Sequence, residues 1–141
     1  MAKVTVTLIG QDYGFEAKDE NQLKVRYDNA VSGGGKQFGV SPMQGLLMSL
    51  GGCTGIDTVL ILKKKRQEIS FFEIEITGHR VDNKVPSLWE KAHLIFVLKG
   101  NIEETKAIRA IEMSIQNYCP VAETLRRAGC SISWELKLNL D

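Results

Sequence analysis

The sequence predicts an α+β fold in which antiparallel sheets surround one long central helix, in the order β-β-β-α-β-β-α-α-β. Three observations predict it. Residues 41 to 66 read as one helix in which Asp57 is the only charge between Met43 and Leu62. Segments with two-residue alternation lie on both sides of that helix. Before the last of them, residues 101 to 129 carry helical spacing and two helix-start signals. The 141 residues, 43% hydrophobic and 25% charged, are enough for one core, so a single domain spans 1–141. Its parts are N-terminal strands and a glycine-rich loop (1–40), the central helix (41–67), and strands, two helices and a final strand (68–141).

Lys3 to Ile9 places Val4, Val6 and Leu8 on one face and Thr5 and Thr7 on the other, the pattern of a half-buried strand. Gly10 to Gly14 is a turn. Short strands follow at Phe15 to Ala17 and Leu23 to Tyr27, separated by the polar turn Lys18 to Gln22, which makes a small antiparallel meander. Asp28 to Val40, with Gly33-Gly34-Gly35, is expected to be a mobile loop. It is not a phosphate loop, because Gln37 follows Gly35-Lys36 where Ser or Thr is required and no glycine sits five residues before Gly35.

Ser41 suits an N-cap, Pro42 the first helical position, and Lys63 to Arg66 the negative end of a helix dipole. The helix is apolar nearly all round and should run through a core. Gly45, Gly51, Gly52 and Gly55 each oppose helix formation by roughly 0.8–1 kcal/mol relative to alanine, so other backbone is expected to approach closely around the thiol of Cys53. Met43 to Leu62 is long enough to span a membrane. Four glycines, Gln44, Ser49, two threonines and Asp57, with half-buried strands on either side, favour a soluble core helix instead. One chain is short of material to cover both the sheets and this helix, so a homodimer that buries the two central helices together is expected.

Ser70 to Val81 alternates, with Phe72, Ile74 and Ile76 on one face; Pro86 interrupts, and Trp89 to Leu98 returns as the second strand of a hairpin. Asn101 then caps a second helix, with Glu104 at the capping-box position and Ile108, Ile111 and Ile115 as the buried stripe, ending near Tyr118. Cys119-Pro120 opens a third, short helix that Gly129 stops. Ile132 to Leu140 is the clearest strand of the chain.

A net charge of +1 and a pI near 7.7 leave no electrostatic footprint for nucleic acid. The alternating N-terminus does not resemble a signal peptide, and three cysteines without a paired spacing do not make a secreted disulfide framework. The expected location is cytoplasmic.

The cysteines are where chemistry is expected. Cys119 occupies a helix N-cap, where unpaired amides and the dipole favour a thiolate and lower its pKa, or it is a small hydrophobe at a helix start. Cys53 lies mid-helix, either in inert packing or in a glycine-lined site. Cys130 falls in register with Ile132 and Trp134 and reads as structural. No metal is expected, because only His79 and His93 could join the cysteines, both read as surface residues, and no Cys-x-x-Cys is present. A serine hydrolase elbow is also missing. Asp57, one turn past Cys53, is either a hydrogen-bonding group or a repulsive neighbour of a thiolate.

Ser41-Pro42-Met43 leading through Leu50-Gly51-Gly52-Cys53, followed 66 residues later by Tyr118-Cys119-Pro120-Val121-Ala122, resembles the OsmC/Ohr family of osmotically inducible and organic hydroperoxide resistance proteins. The Gly-Gly-Cys-x-x-Ile-Asp segment and the Lys-x-Arg-Gln ending are most similar to its YhfA-like branch. The resemblance implies an intertwined homodimer with two sites at the subunit interface, and thiol-dependent reduction of peroxides without cofactor. By position, Cys53 would be the peroxidatic and Cys119 the resolving cysteine, with an external dithiol as reductant. Hydroperoxidases of the family carry a glutamate just after the helix-opening proline and an arginine in the N-terminal hairpin. Here Met43 stands at the first position, and Asp12 to Glu16 holds no arginine, which leaves Arg26, Lys36 and Arg126 as candidate activating cations. The alternative function is a non-catalytic protein of the same fold that binds a small apolar ligand at the dimer interface.

Overall fold

A computed structural model describes residues 1–141, which form two compact units, residues 1–46 and 47–141. The first unit is the expected meander: β1 (Thr5–Leu8), β2 (Phe15–Lys18) and β3 (Lys24–Tyr27), antiparallel in the order β1-β2-β3. Its register sets Leu8, Phe15 and Tyr27 in one row and Val6, Ala17 and Val25 in another, so apolar side chains share a face. That face was expected to be half-buried, but Val6, Leu8 and Val25 are all exposed. The opposite face holds a buried carboxylate, Glu16, ringed by Lys18, Lys24 and Arg26.

The glycine-rich loop is tied down rather than loose. Asp28, 3% exposed, accepts hydrogen bonds from the amides of Asn29, Lys36 and Phe38 (2.7, 2.8 and 3.1 Å). These amides hold its carboxyl below the ordinary aspartate value, against the opposing effect of desolvation. A 3-10 turn at Val31–Gly33 and the bridge from Tyr27 to Val40 then deliver the chain to the long helix.

That helix, α1 (Pro42–Lys64), starts and stops close to where Pro42 and the basic run predict. In the second unit β4 (Glu68–Arg80) and β5 (Trp89–Asn101) form the expected hairpin. Alternation places Ala92, Leu94, Phe96 and Leu98 of β5 beside Ile76, Ile74 and Phe72 of β4 on one face. α1, α2 (Glu104–Met113) and α3 (Pro120–Arg127) cover this face in two adjoining clusters, one around Leu50, Phe96 and Ile111 and one around Leu62, Leu98 and Ala110. The reverse face, with Glu73, Glu75, Ser133, Glu135 and Lys137, is mostly polar.

Four further sequence expectations change. The last strand, β6 (Ser131–Leu138), pairs with β5 in parallel, because the chain returns to the sheet through the helices rather than through a tight turn. Asn101 is not a helix cap: it ends β5, and Glu103 occupies the N-cap position of α2 with no side-chain bond. α1 is not enclosed on all sides. It buries Leu50, Thr54, Thr58 and Leu62 completely, the two threonine hydroxyls bonding back to the carbonyls four residues earlier, while Met48, Ile56 and Leu60 are exposed. The glycines do not line Cys53 either. A Cβ on Gly51 would meet Ile76 Cδ1 at 2.9 Å, one on Gly55 would meet Ile74 Cδ1 at 3.4 Å, and one on Gly52 would meet nothing within 4 Å. Gly51 and Gly55 thus let the helix settle onto β4.

α1 is long and apolar enough to cross a membrane by length and composition, with a mean hydropathy of 1.6 in its richest window. Its packing on β5 through Leu50 and Leu62 gives those residues the role of core side chains.

Candidate functional site

Cys53 and Asp57 stand one turn apart on the same side of α1. Opposite them the chain makes a feature that the periodicity does not reveal. After α2, residues Ser114–Tyr118 form one π-helical turn, closed by a bond from the Cys119 amide to the Ser114 carbonyl at 2.8 Å. Such turns carry one extra residue per cycle and often mark functional positions.

This turn delivers two side chains to α1. The buried Ser114 hydroxyl lies 3.1 Å from Asp57 Oδ2 and 3.2 Å from the Thr54 carbonyl, so its single proton is shared between two acceptors. Five residues on, Cys119 is extended (φ −75°, ψ 106°), as a residue before proline should be, and Pro120 opens α3. The Sγ atoms of Cys53 and Cys119 and a carboxylate oxygen of Asp57 all lie within 4.8 Å of one another. No disulfide joins the sulfurs.

The environments of the two thiols differ. Cys53 is half-buried and Cys119 is 2% exposed. Cys119 does cap α3, its sulfur accepting from the Ala122 amide at 3.3 Å. The expected lowering of its pKa does not occur. Burial, and then the hydrogen bond with Cys53, push the thiol up to about 11, because the amides of Ala122 and Val121 at a short helix do not offset the loss of solvent around a thiolate. Cys119 is therefore a protonated thiol at neutral pH. Cys130 is buried in the core, its thiol pushed up by burial alone, and it stands outside the group, in keeping with a structural reading.

Each candidate cation has partners of its own. Arg126 donates to the Ile115 carbonyl at 2.7 Å, bracing the π turn, and to Glu123 at 3.2 Å. Arg26 pairs with Glu16 and lies over the Phe38 ring at 4.7 Å. Lys36 meets Asp28 through its backbone amide. His79 is exposed and faces Asp82 and Glu90, and the half-buried His93 faces Ser133 and Glu135. Sequence reasoning missed Ser114; the one signal was a hydroxyl set between Ile111 and Ile115 in an otherwise apolar stripe.

A long helix and a π turn that confront two free thiols, on an α+β frame of two small sheets, define a class of dithiol-bearing proteins. The chain belongs to the OsmC-like protein family, whose model matches residues 33–135. It is 37% identical over 89 residues to Protein YhfA of Escherichia coli K12, a match covering 62% of this chain and 66%, just under two thirds, of YhfA. Among solved structures, a hypothetical protein from Aquifex aeolicus superposes with a TM-score of 0.81 and 30% identity, covering 99% of this chain and 98% of that one. The organic hydroperoxide resistance protein OhrB of Bacillus subtilis superposes with a TM-score of 0.63 at 21% identity over 97% and 98% of the chains, a likeness of fold.

Proposed function

We propose that the chain is a two-cysteine thiol peroxidase acting on organic hydroperoxides. The observation that carries this reading is the meeting of Cys53 and Cys119, 66 residues apart in sequence, with both sulfurs free. Cys53, the more exposed of the two, is the one a peroxide can reach. Its thiolate attacks the outer peroxide oxygen, the O–O bond breaks, and the alkoxide leaves as alcohol after taking up a proton; Cys53 becomes a sulfenic acid. The Cys119 sulfur then displaces the hydroxyl, releasing water and forming the disulfide. An external dithiol restores both thiols by exchange. Family naming as organic hydroperoxide resistance proteins supports the substrate class.

The proposal includes a cytoplasmic location and a homodimer. Met48, Gly52, Ile56 and Leu60 form one i, i+4 row along the exposed side of α1, and an apolar row with a bare glycine at its centre suits close approach of a second copy. Met43 and the occupied arginines favour slow turnover relative to family members with an activating carboxylate and arginine. The same observation favours a second reading, a non-catalytic protein that binds a small apolar ligand. The deciding experiment is peroxide consumption by reduced protein, followed by peptide mapping. Consumption that ends in a Cys53–Cys119 disulfide supports the peroxidase; thiols that stay reduced, with an apolar ligand raising Tm, support the second reading.

A further inference from the structure

The same corner of the fold holds a donor set that peroxide chemistry does not need. Asp57 takes part in none of the chain's ion pairs, and its one hydrogen-bond donor is the Ser114 hydroxyl, on Oδ2. A half-buried carboxylate without a counter-cation, within 4.8 Å of two sulfurs, favours positive charge beside it. We propose that the reduced chain binds one thiophilic divalent cation of the zinc type through Cys53 Sγ, Cys119 Sγ and an Asp57 carboxylate oxygen, with water as the fourth ligand.

The geometry allows it. In a tetrahedral zinc site, metal–sulfur bonds of about 2.3 Å and metal–oxygen bonds of about 2.0–2.2 Å set the donor atoms roughly 3.5–3.8 Å apart. From a ceiling of 4.8 Å, closing by about 1.3 Å at most is enough, within reach of small side-chain rotations. Two sulfurs select zinc-type ions over magnesium or calcium. Ser114, by bonding Oδ2, fixes the carboxylate as an outer-shell partner does in metal sites. Cys53 and Asp57 are only half-buried, which leaves the side where a water ligand would sit open to solvent. The sequence offered no metal because it shows no Cys-x-x-Cys and no usable histidine. The Cys-x-x-x-Asp pair on α1 supplies two donors on one helix face, and the π turn supplies the third.

Metal and disulfide need the same two sulfurs, so each state of the protein excludes the other. A bound cation holds both thiols in reserve against oxidation, and oxidation releases the cation. This holds whether or not the chain turns over peroxide.

The test titrates reduced protein with zinc against a chromogenic chelator and tracks cobalt substitution by its thiolate charge-transfer absorption. The expected result is one ion per chain, lost in Cys53→Ser and in Cys119→Ser, unchanged in Cys130→Ser, lost in disulfide-oxidised wild type, and weakened roughly tenfold or more in Asp57→Asn. The oxidised wild type keeps the test sound if a variant fails to fold. Equal binding by reduced and oxidised protein, or undiminished affinity in Asp57→Asn, overturns the three-donor site.

Discussion

Ser114 donates to Asp57 across 3.1 Å from the first residue of a π turn, and Cys119, the residue just after that turn, meets Cys53 one helical turn away. Two contacts between the same pair of segments are therefore set by one irregular turn. The chemistry depends on that register, and it is where the structure is most open to attack by mutation.

One equivalent of an alkyl hydroperoxide should convert reduced protein to a form two hydrogens lighter, with Cys53 and Cys119 in one cross-linked peptide by mass spectrometry. Cys53→Ser should abolish peroxide consumption. Cys119→Ser should leave a trappable sulfenic acid on Cys53. Consumption that persists in Cys53→Ser but stops in Cys119→Ser would reverse the two roles.

Deleting Asn117 should turn the π turn into an ordinary α turn and rotate Cys119 and α3 by about 100° relative to α2. The fold should survive by circular dichroism, while the yield of disulfide per equivalent of peroxide falls sharply. Ser114→Ala removes the one donor to Asp57 and should cost about 1 kcal/mol in urea unfolding. An unchanged disulfide yield in the deletion variant would show that the π turn does not set the thiol pair.

The exposed row on α1 predicts that the 15.7 kDa chain sediments at twice its mass. Ile56→Glu, a charge placed on a residue 65% exposed within one chain, should leave each monomer folded and abolish the dimer. A wild-type chain that sediments as a monomer at micromolar concentration removes the dimer from the proposal.

Asp28 should make the loop of residues 28–40 sensitive to acid. Its carboxyl is held below the ordinary value of about 3.9, so its contribution to stability is complete above that value and is lost as the pH falls through the lowered native one. Asp28→Ala should abolish that dependence at every pH and speed amide exchange at Lys36 and Phe38, the two distant donors. Exchange at those amides that matches wild type would dismiss the carboxylate as the clamp.

What the sequence determined by itself is what neighbouring residues enforce. Pro42 and the lysines at 63 and 64 bound α1, Pro120 makes Cys119 an N-cap, and alternation draws the strands, because each of these is a preference exerted over a few residues. The element order was legible for that reason, and so was Cys119 as a helix cap; Cys53 as its partner came only from the family resemblance. Tertiary structure decided the rest. Whether β6 runs parallel to its neighbour depends on where two helices return the chain to the sheet. Whether Gly51 faces a sheet or a thiol depends on what packs against α1. The sign of the shift on Cys119 depends on how much solvent the surrounding core removes, which outweighs the local cap that the Cys-Pro pair creates. Burial is a sum over residues far apart in the chain, and so the proximity of Asp57 to both sulfurs could be read only once the chain was folded.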